Sequence, residues 1–190
     1  MSFVSVFGMK DFVTVMSDGL AVDIKTGEVK DHKFQKFKKI SPKQFVAVTG
    51  NKGVGEKIFD DMGYEDSERS LEKIARELRE TLIKELPYDL AKMQIAIGGV
   101  ENDRIIIYSF DNNENKDLKI LEPVGIDPVY TCMASSQCEI DFDQEMNHLY
   151  NAFRVKSATS ALKLQETLNT KVASTDPTVN KFIFKLTIKL

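Results

Sequence analysis

Residues 1–19, MSFVSVFGMKDFVTVMSDG, decide how this chain is read. Two short runs rich in Val and Phe, 3–7 and 12–17, flank the turn signal Gly8-Met9-Lys10-Asp11, a pattern that predicts a β-hairpin. Alternation along Phe3, Val4, Ser5 and Val6 puts Phe3 on the face opposite Val4 and Val6, and we read that face as the interface between two sheets. Working outward, 21–24 and 28–30 flank the turn Lys25-Thr26-Gly27, while 36–40 and 45–49 are separated by Ser41-Pro42. Six short strands therefore precede any helix.

The next stretch, GNKGVGEKIF from Gly50 to Phe59, raises the question of a phosphate cradle. A P-loop needs Lys and then Ser or Thr after its last glycine, but Gly55 is followed by Glu56, Lys57 and Ile58. The carboxylate repels phosphate and Ile58 offers no metal-binding hydroxyl. The dinucleotide pattern fails too, because Ile58 stands where the third glycine belongs. The glycines read instead as a strand-to-helix turn.

Helices are expected over 54–62, ending at Gly63, and over 68–86, where Leu71, Ile74, Ala75, Leu78, Leu82 and Leu86 recur at helical spacing before Pro87. Strands follow at 94–97, 104–110, 118–121 and 129–133, with Asn112-Asn113 as the turn after the second of them. Two more helices, 144–153 and 158–168, lead to KFIFKLTIKL, a closing strand with one apolar face and a lysine-rich outer face. This order suits an α+β fold, a four-layer αββα sandwich of two antiparallel sheets flanked by helix pairs, as one domain over 1–190.

Composition narrows the function. With 190 residues the chain can bury a core without metal or disulfide staples. The balance of 26 basic to 29 acidic residues argues against nucleic acid as a partner. No apolar run reaches membrane-spanning length and the first residues lack signal-peptide order, so the expected location is cytoplasmic, with no membrane partner. Cys132 and Cys138 are not at C-x-x-C spacing, and the two histidines, His32 and His148, belong to no ligand-spaced cluster. Neither a metal nor another cofactor is expected.

The opening hairpin, together with KFKKISPKQFVAVTG, IAIGGVENDRIIIYSF and MASSQ, resembles proteasome β subunits and bacterial proteasome-like peptidases, members of the N-terminal-nucleophile hydrolase superfamily, along nearly the whole chain. The resemblance implies Ser2 as nucleophile after removal of Met1, Asp18 as its conserved-type aspartate, Lys36 as the catalytic lysine, Gly50 as an oxyanion donor and Ser135 as the serine of a Gly-Ser-Gly-like turn. Asp176, in STDPTVN, is a candidate for a late acidic position. Self-association into a ring and an ATPase or unfoldase partner are implied as well. The chain departs from the pattern in having Ser for the more usual Thr, bulky Phe3 beside it, and Ala134-Ser135-Ser136 for the Gly-Ser-Gly turn.

The implied chemistry is peptide- or amide-bond hydrolysis. A serine hydroxyl needs a base within reach, and an α-amine with a pKa of about 7.7–8.0 serves once Met1 is gone. An ammonium at Lys36 would favour the deprotonated nucleophile, and Asp18 would orient that lysine. The alternative is a catalytically inactive proteasome-like structural or binding subunit.

Overall fold

The structure is a computed structural model that describes residues 3–23, 26–135 and 138–190. The opening hairpin pairs β1 (Val4–Met9) with β2 (Phe12–Asp18), in antiparallel register from Val4 opposite Ser17 to Met9 opposite Phe12. After it come β3 (Ala21–Val22), β4 (Val29–Asp31), β5 (Phe37–Ser41) and β6 (Gln44–Thr49), then α1 (Lys52–Met62) and α2 (Leu71–Glu85). The second half runs β7 (Gln94–Glu101), β8 (Arg104–Asp111), β9 (Lys119–Leu121), β10 (Val129–Met133), α3 (Phe142–Phe153), α4 (Ala158–Thr175) and β11 (Ile183–Lys189). Among the described residues one sheet has the order β10-β1-β2-β11, a second β5-β6-β7-β8-β9, and β3 pairs with β4; every pairing is antiparallel.

Local chemistry sets the helix starts. The side chains of Asn51, Ser70, Asp141 and Ser157 each accept a backbone N–H of the first turn, which satisfies a donor that has no partner inside the helix. Ser70 therefore starts α2 three residues later than its apolar spacing predicts. In the other direction, α4 runs seven residues beyond the expected 168, because Asn169 and Val172 continue its buried face and Asn169 Nδ2 donates to the carbonyl of Asn180 at 3.0 Å.

Strand β7 also outruns its expected end at Ile97. Gly98 and Gly99 do not stop it; they let another backbone approach. At Gly99, φ is +137° and a Cβ would fall on the Lys43 backbone, so the glycine is what allows β6 to begin there. The β7–β8 turn is Asn102-Asp103, both in the left-handed region, as a two-residue hairpin loop requires.

Three apolar clusters hold these elements together. Val46, Val48, Ile95, Ile97 and Tyr108 pack with Ile58 of α1 and Leu71, Ile74 and Leu82 of α2. Val4, Val6, Val13 and Val15 meet Phe45, Ala47, Ala96 and Ile107 from the five-stranded sheet. Phe3, Phe7 and Phe12 pack with Met146 and Leu149 of α3 and Leu164, Leu168 and Val172 of α4. Burying one such large side chain is worth about 1.5–3 kcal/mol. The alternation predicted for β1 holds, but the direction is corrected: Phe3 faces the helices, stacked on Phe142 at 5.6 Å between centroids, and Val4 and Val6 face the other sheet. The outer face of β11 carries the exposed Lys185 and Lys189, and Lys185 Nζ pairs with Glu166 of α4 at 2.9 Å.

One polar device crosses the third cluster. The side chain of Gln165 in α4, fully buried, donates from Nε2 to the Ser5 carbonyl (2.9 Å) and Ser5 Oγ (3.1 Å), and its Oε1 accepts from Thr14 Oγ1 (2.8 Å). It ties α4 to both strands of the opening hairpin at one register.

Candidate functional site

The hairpin that begins the chain ends at Asp18, and the lysine that precedes β5 is Lys36. The carbonyl of Lys36 accepts the Val48 N–H at 2.8 Å, which anchors its backbone to β6. Its Nζ donates to Asp18 Oδ1 at 2.7 Å and to the Asp18 carbonyl at 2.9 Å. Neither side chain reaches solvent.

Asp18 Oδ1 also accepts the N–H of Phe3 at 2.8 Å, and Oδ2 accepts the N–H of Leu20 at 2.8 Å. A weaker contact, 3.5 Å, comes from the N–H of Asn180, whose side chain accepts from Gly19 and donates to the His32 carbonyl. A buried carboxylate is tolerable only when its lone pairs are used in this way. Burial pushes the Lys36 ammonium below the ordinary lysine value of 10.5, while Asp18 pulls it back up. Two of the three Lys36 donor positions are spent on Asp18 among the described residues.

A cleft of about 860 Å³ opens between β3, the turn after β6 and the loop from α2 to β7; Asp18 and Lys36 are not among its lining residues. Ala21, Thr49, Gly50 and Ser135 lie on its wall, so Gly50 and Ser135, 85 positions apart in the chain, face one space. Gly50 follows β6 with φ +117°; a Cβ there would strike the carbonyl oxygen of Lys92 and come within 2.7 Å of Met93 Sδ. Only glycine fits. The stretch that invited a phosphate reading is thus the turn from β6 into α1, with Asn51 as its cap and Gly53 and Gly55 inside the helix.

Of the residues singled out in the sequence, Asp18 and Lys36 touch, and Gly50 and Ser135 share the cleft. Ser2 lies outside the described residues. Asp176 caps the end of α4, fully buried, with Oδ1 accepting from Thr178 N–H (2.8 Å) and Oγ1 (2.6 Å); no hydrogen bond joins it to Asp18 or Lys36. Cys132 and Cys138 are free thiols packed against the third cluster, both pushed up by burial. Among the described residues no group of three His, Cys, Asp or Glu side chains is placed to hold a metal, and no helix is long and apolar enough to cross a membrane.

Sequence reasoning missed three contributors. The backbone N–H of Phe3 and the side chain of Asn180 act through positions that carry no motif. Asn112, named only as a turn residue, is buried and donates to the carbonyls of Leu86 (2.8 Å) and Ala91 (2.9 Å), fixing the loop that forms the far wall of the cleft.

No protein-family profile matches the chain. No curated protein matches it in sequence. Among solved structures it is similar to the eukaryotic HslV of Trypanosoma brucei, with a TM-score of 0.65, 12% sequence identity, and 99% of each chain covered. A likeness at that identity over that length defines the fold: a mixed α/β, HslV-like fold of antiparallel sheets with, among the described residues, four helices.

Proposed function

We propose that the protein is a proteasome-like N-terminal-nucleophile hydrolase that cleaves peptide bonds, with Ser2 as nucleophile after removal of Met1. The observation that carries this reading is the hydrogen bond from the Phe3 N–H to the same Asp18 oxygen that receives Lys36. That nitrogen is the atom that joins Phe3 to residue 2, so the nucleophile's own peptide link starts at the buried ion pair. The HslV-like fold supports the same reading. Phe3, whose size would crowd a nucleophile, spends its ring on Phe142 and the helices instead.

In this reading the α-amine of Ser2 takes the proton from Oγ as Oγ attacks the scissile carbonyl carbon. The Lys36 ammonium stabilises the developing negative charge at Oγ, and Asp18 holds Lys36 in place. The oxyanion accepts the N–H of Gly50, a preorganised donor typically worth about 3 kcal/mol of barrier. Collapse breaks the C–N bond, the leaving amine takes the proton from the α-ammonium, and an ester on Ser2 remains. Water, deprotonated by the same amine, then hydrolyses the ester. Ser135 stands on the cleft wall as a hydroxyl partner for this machinery.

The rest of the reading follows the fold. The three apolar clusters support a four-layer αββα arrangement over one domain, 1–190, and an HslV-like subunit of this kind would close into a ring and receive chains from an ATPase or unfoldase. The test is intact-mass analysis of protein from its own cells, followed by labelling with a peptide vinyl sulfone and mapping of the adduct. The expected result is loss of Met1 and an adduct on Ser2. A retained methionine with no adduct would make the protein a non-catalytic subunit.

A further inference from the structure

The far wall of the cleft is the loop from α2 to β7, which carries Tyr88, Leu90 and Lys92, with Lys116 beside it. Lys92 Nζ lies 5.2 Å from the centroid of the Tyr88 ring and Lys116 Nζ lies 6.0 Å from it, so two ammonium groups share one ring. The loop is held before anything binds. Asn112 bonds to the carbonyls of Leu86 and Ala91 and accepts the Met93 N–H at 2.9 Å, and the N–H groups of Leu90 and Ala91 turn back onto the Pro87 carbonyl.

The charges in the cleft are not evenly compensated. Among the described residues its lining holds four lysines to two aspartates, Asp23 and Asp89, although the whole chain is net acidic. Lys30 pairs with Glu28 (2.6 Å), Lys52 with Asp31 (3.2 Å) and Lys116 with Asp111 (2.8 Å). Lys92 is exposed and, among the described residues, meets no carboxylate within ion-pair distance; its ammonium rests on the Tyr88 ring alone. Its backbone, meanwhile, is pressed against Gly50, where the proposed oxyanion would form.

We propose that this corner makes the cleft select chain segments with an acidic side chain, Lys92 supplying the counter-ion and Lys116 reinforcing it. The proposal rests on the reading of the cleft as a peptide-binding site and adds the class of peptide it takes. An ammonium that already sits on an aromatic face gains a partner without losing that contact, and a loop already held by Asn112 needs no ordering on binding. A basic side chain in the same place would meet the uncompensated Lys92 ammonium.

The experiment uses three short, blocked, fluorescently labelled peptides that differ only in a central Glu, Gln or Lys, with binding to the full chain followed by anisotropy and cleavage followed in the same samples. The Glu peptide is expected to bind about fivefold tighter than the Lys peptide, a preference that shrinks between about 0.01 M and 1 M salt. Lys92→Glu should reverse the order, and Lys163→Glu, the same charge change on exposed α4 outside the cleft, should preserve it. Equal binding of the three peptides, no binding of any, or an equal response to both substitutions would overturn the proposal. Charge-selective binding without cleavage would instead support it and count against the hydrolase reading, so the two fail separately.

Discussion

Lys36 Nζ lies 2.7 Å from Asp18 Oδ1, and both side chains are sealed from water although the two residues sit 18 positions apart. Such a pair is poor at stabilising a fold, because the desolvation of both ions offsets most of their attraction. Breaking it is another matter, since the survivor is left charged and buried.

Lys36→Met and Asp18→Asn should therefore each destabilise the protein by about 3 kcal/mol, with the double variant less destabilised than the sum by about 2 kcal/mol. Urea unfolding of the four proteins measures this coupling without reference to activity. Additive losses would mean the two groups do not depend on each other. In the proposed mechanism each single variant is also without turnover.

Gly50→Ala should lower stability by about 1–3 kcal/mol, because its φ of +117° and the Lys92 carbonyl both exclude a Cβ. Gly99→Ala, excluded by the Lys43 backbone at φ +137°, is the control for strain away from the cleft and should cost a similar amount. In thermal melts the two should match. In peptide cleavage, Gly50→Ala alone should lose turnover, measured at a temperature where both variants are folded.

Gln165→Leu removes the four hydrogen bonds that tie α4 to Ser5 and Thr14 and leaves buried hydroxyl and carbonyl groups without that partner. A loss of about 2–4 kcal/mol is expected from chemical denaturation. A loss under about 0.5 kcal/mol would show that the strands find other partners.

Alkaline pH should weaken the fold through two tyrosines. Burial raises Tyr108 to about 12, helped by Glu101, and burial together with its hydrogen bond to Asp143 raises Tyr130 to about 12, from 10.0 in each case. The folded state keeps these protons longer than the unfolded chain, so their contribution is intact below pH 10 and is lost as pH rises from 10 to about 12. Lys36 acts in the opposite sense: its folded value lies below 10.5, so the unfolded chain holds that proton longer and stability rises toward pH 10.5 from this group. Phenolate absorbance and denaturation midpoints across this range check both signs, and Tyr130→Phe should flatten the alkaline loss.

The cysteines offer a simple accessibility test. Cys132 should react slowly with a neutral-pH thiol reagent in the folded protein and at the rate of an ordinary thiol in denaturant, because burial disfavours its thiolate. Equal rates would contradict its packing against the third cluster.

The sequence by itself determined whatever depends on neighbours in the chain. The opening hairpin, the order of strands and helices, the long amphipathic α2 and the turn at Gly50 all follow from periodicity and turn chemistry, which act within a few residues, whereas Gly53 and Gly55, read as part of that turn, lie inside α1. The pairing of Asp18 with Lys36 was legible only through resemblance, since nothing local connects them. Tertiary structure alone decided which face of β1 meets the helices, because alternation separates Phe3 from Val4 without saying what covers either side. It also decided that Gly98 and Gly99 continue a strand, that Asn180 and the Phe3 N–H converge on Asp18 from 162 and 15 positions away, and that Asn112 holds the cleft's far wall. These are choices of long-range hydrogen-bond partner and close backbone approach. They are set when sheets and helices pack, and no short segment of the chain encodes them.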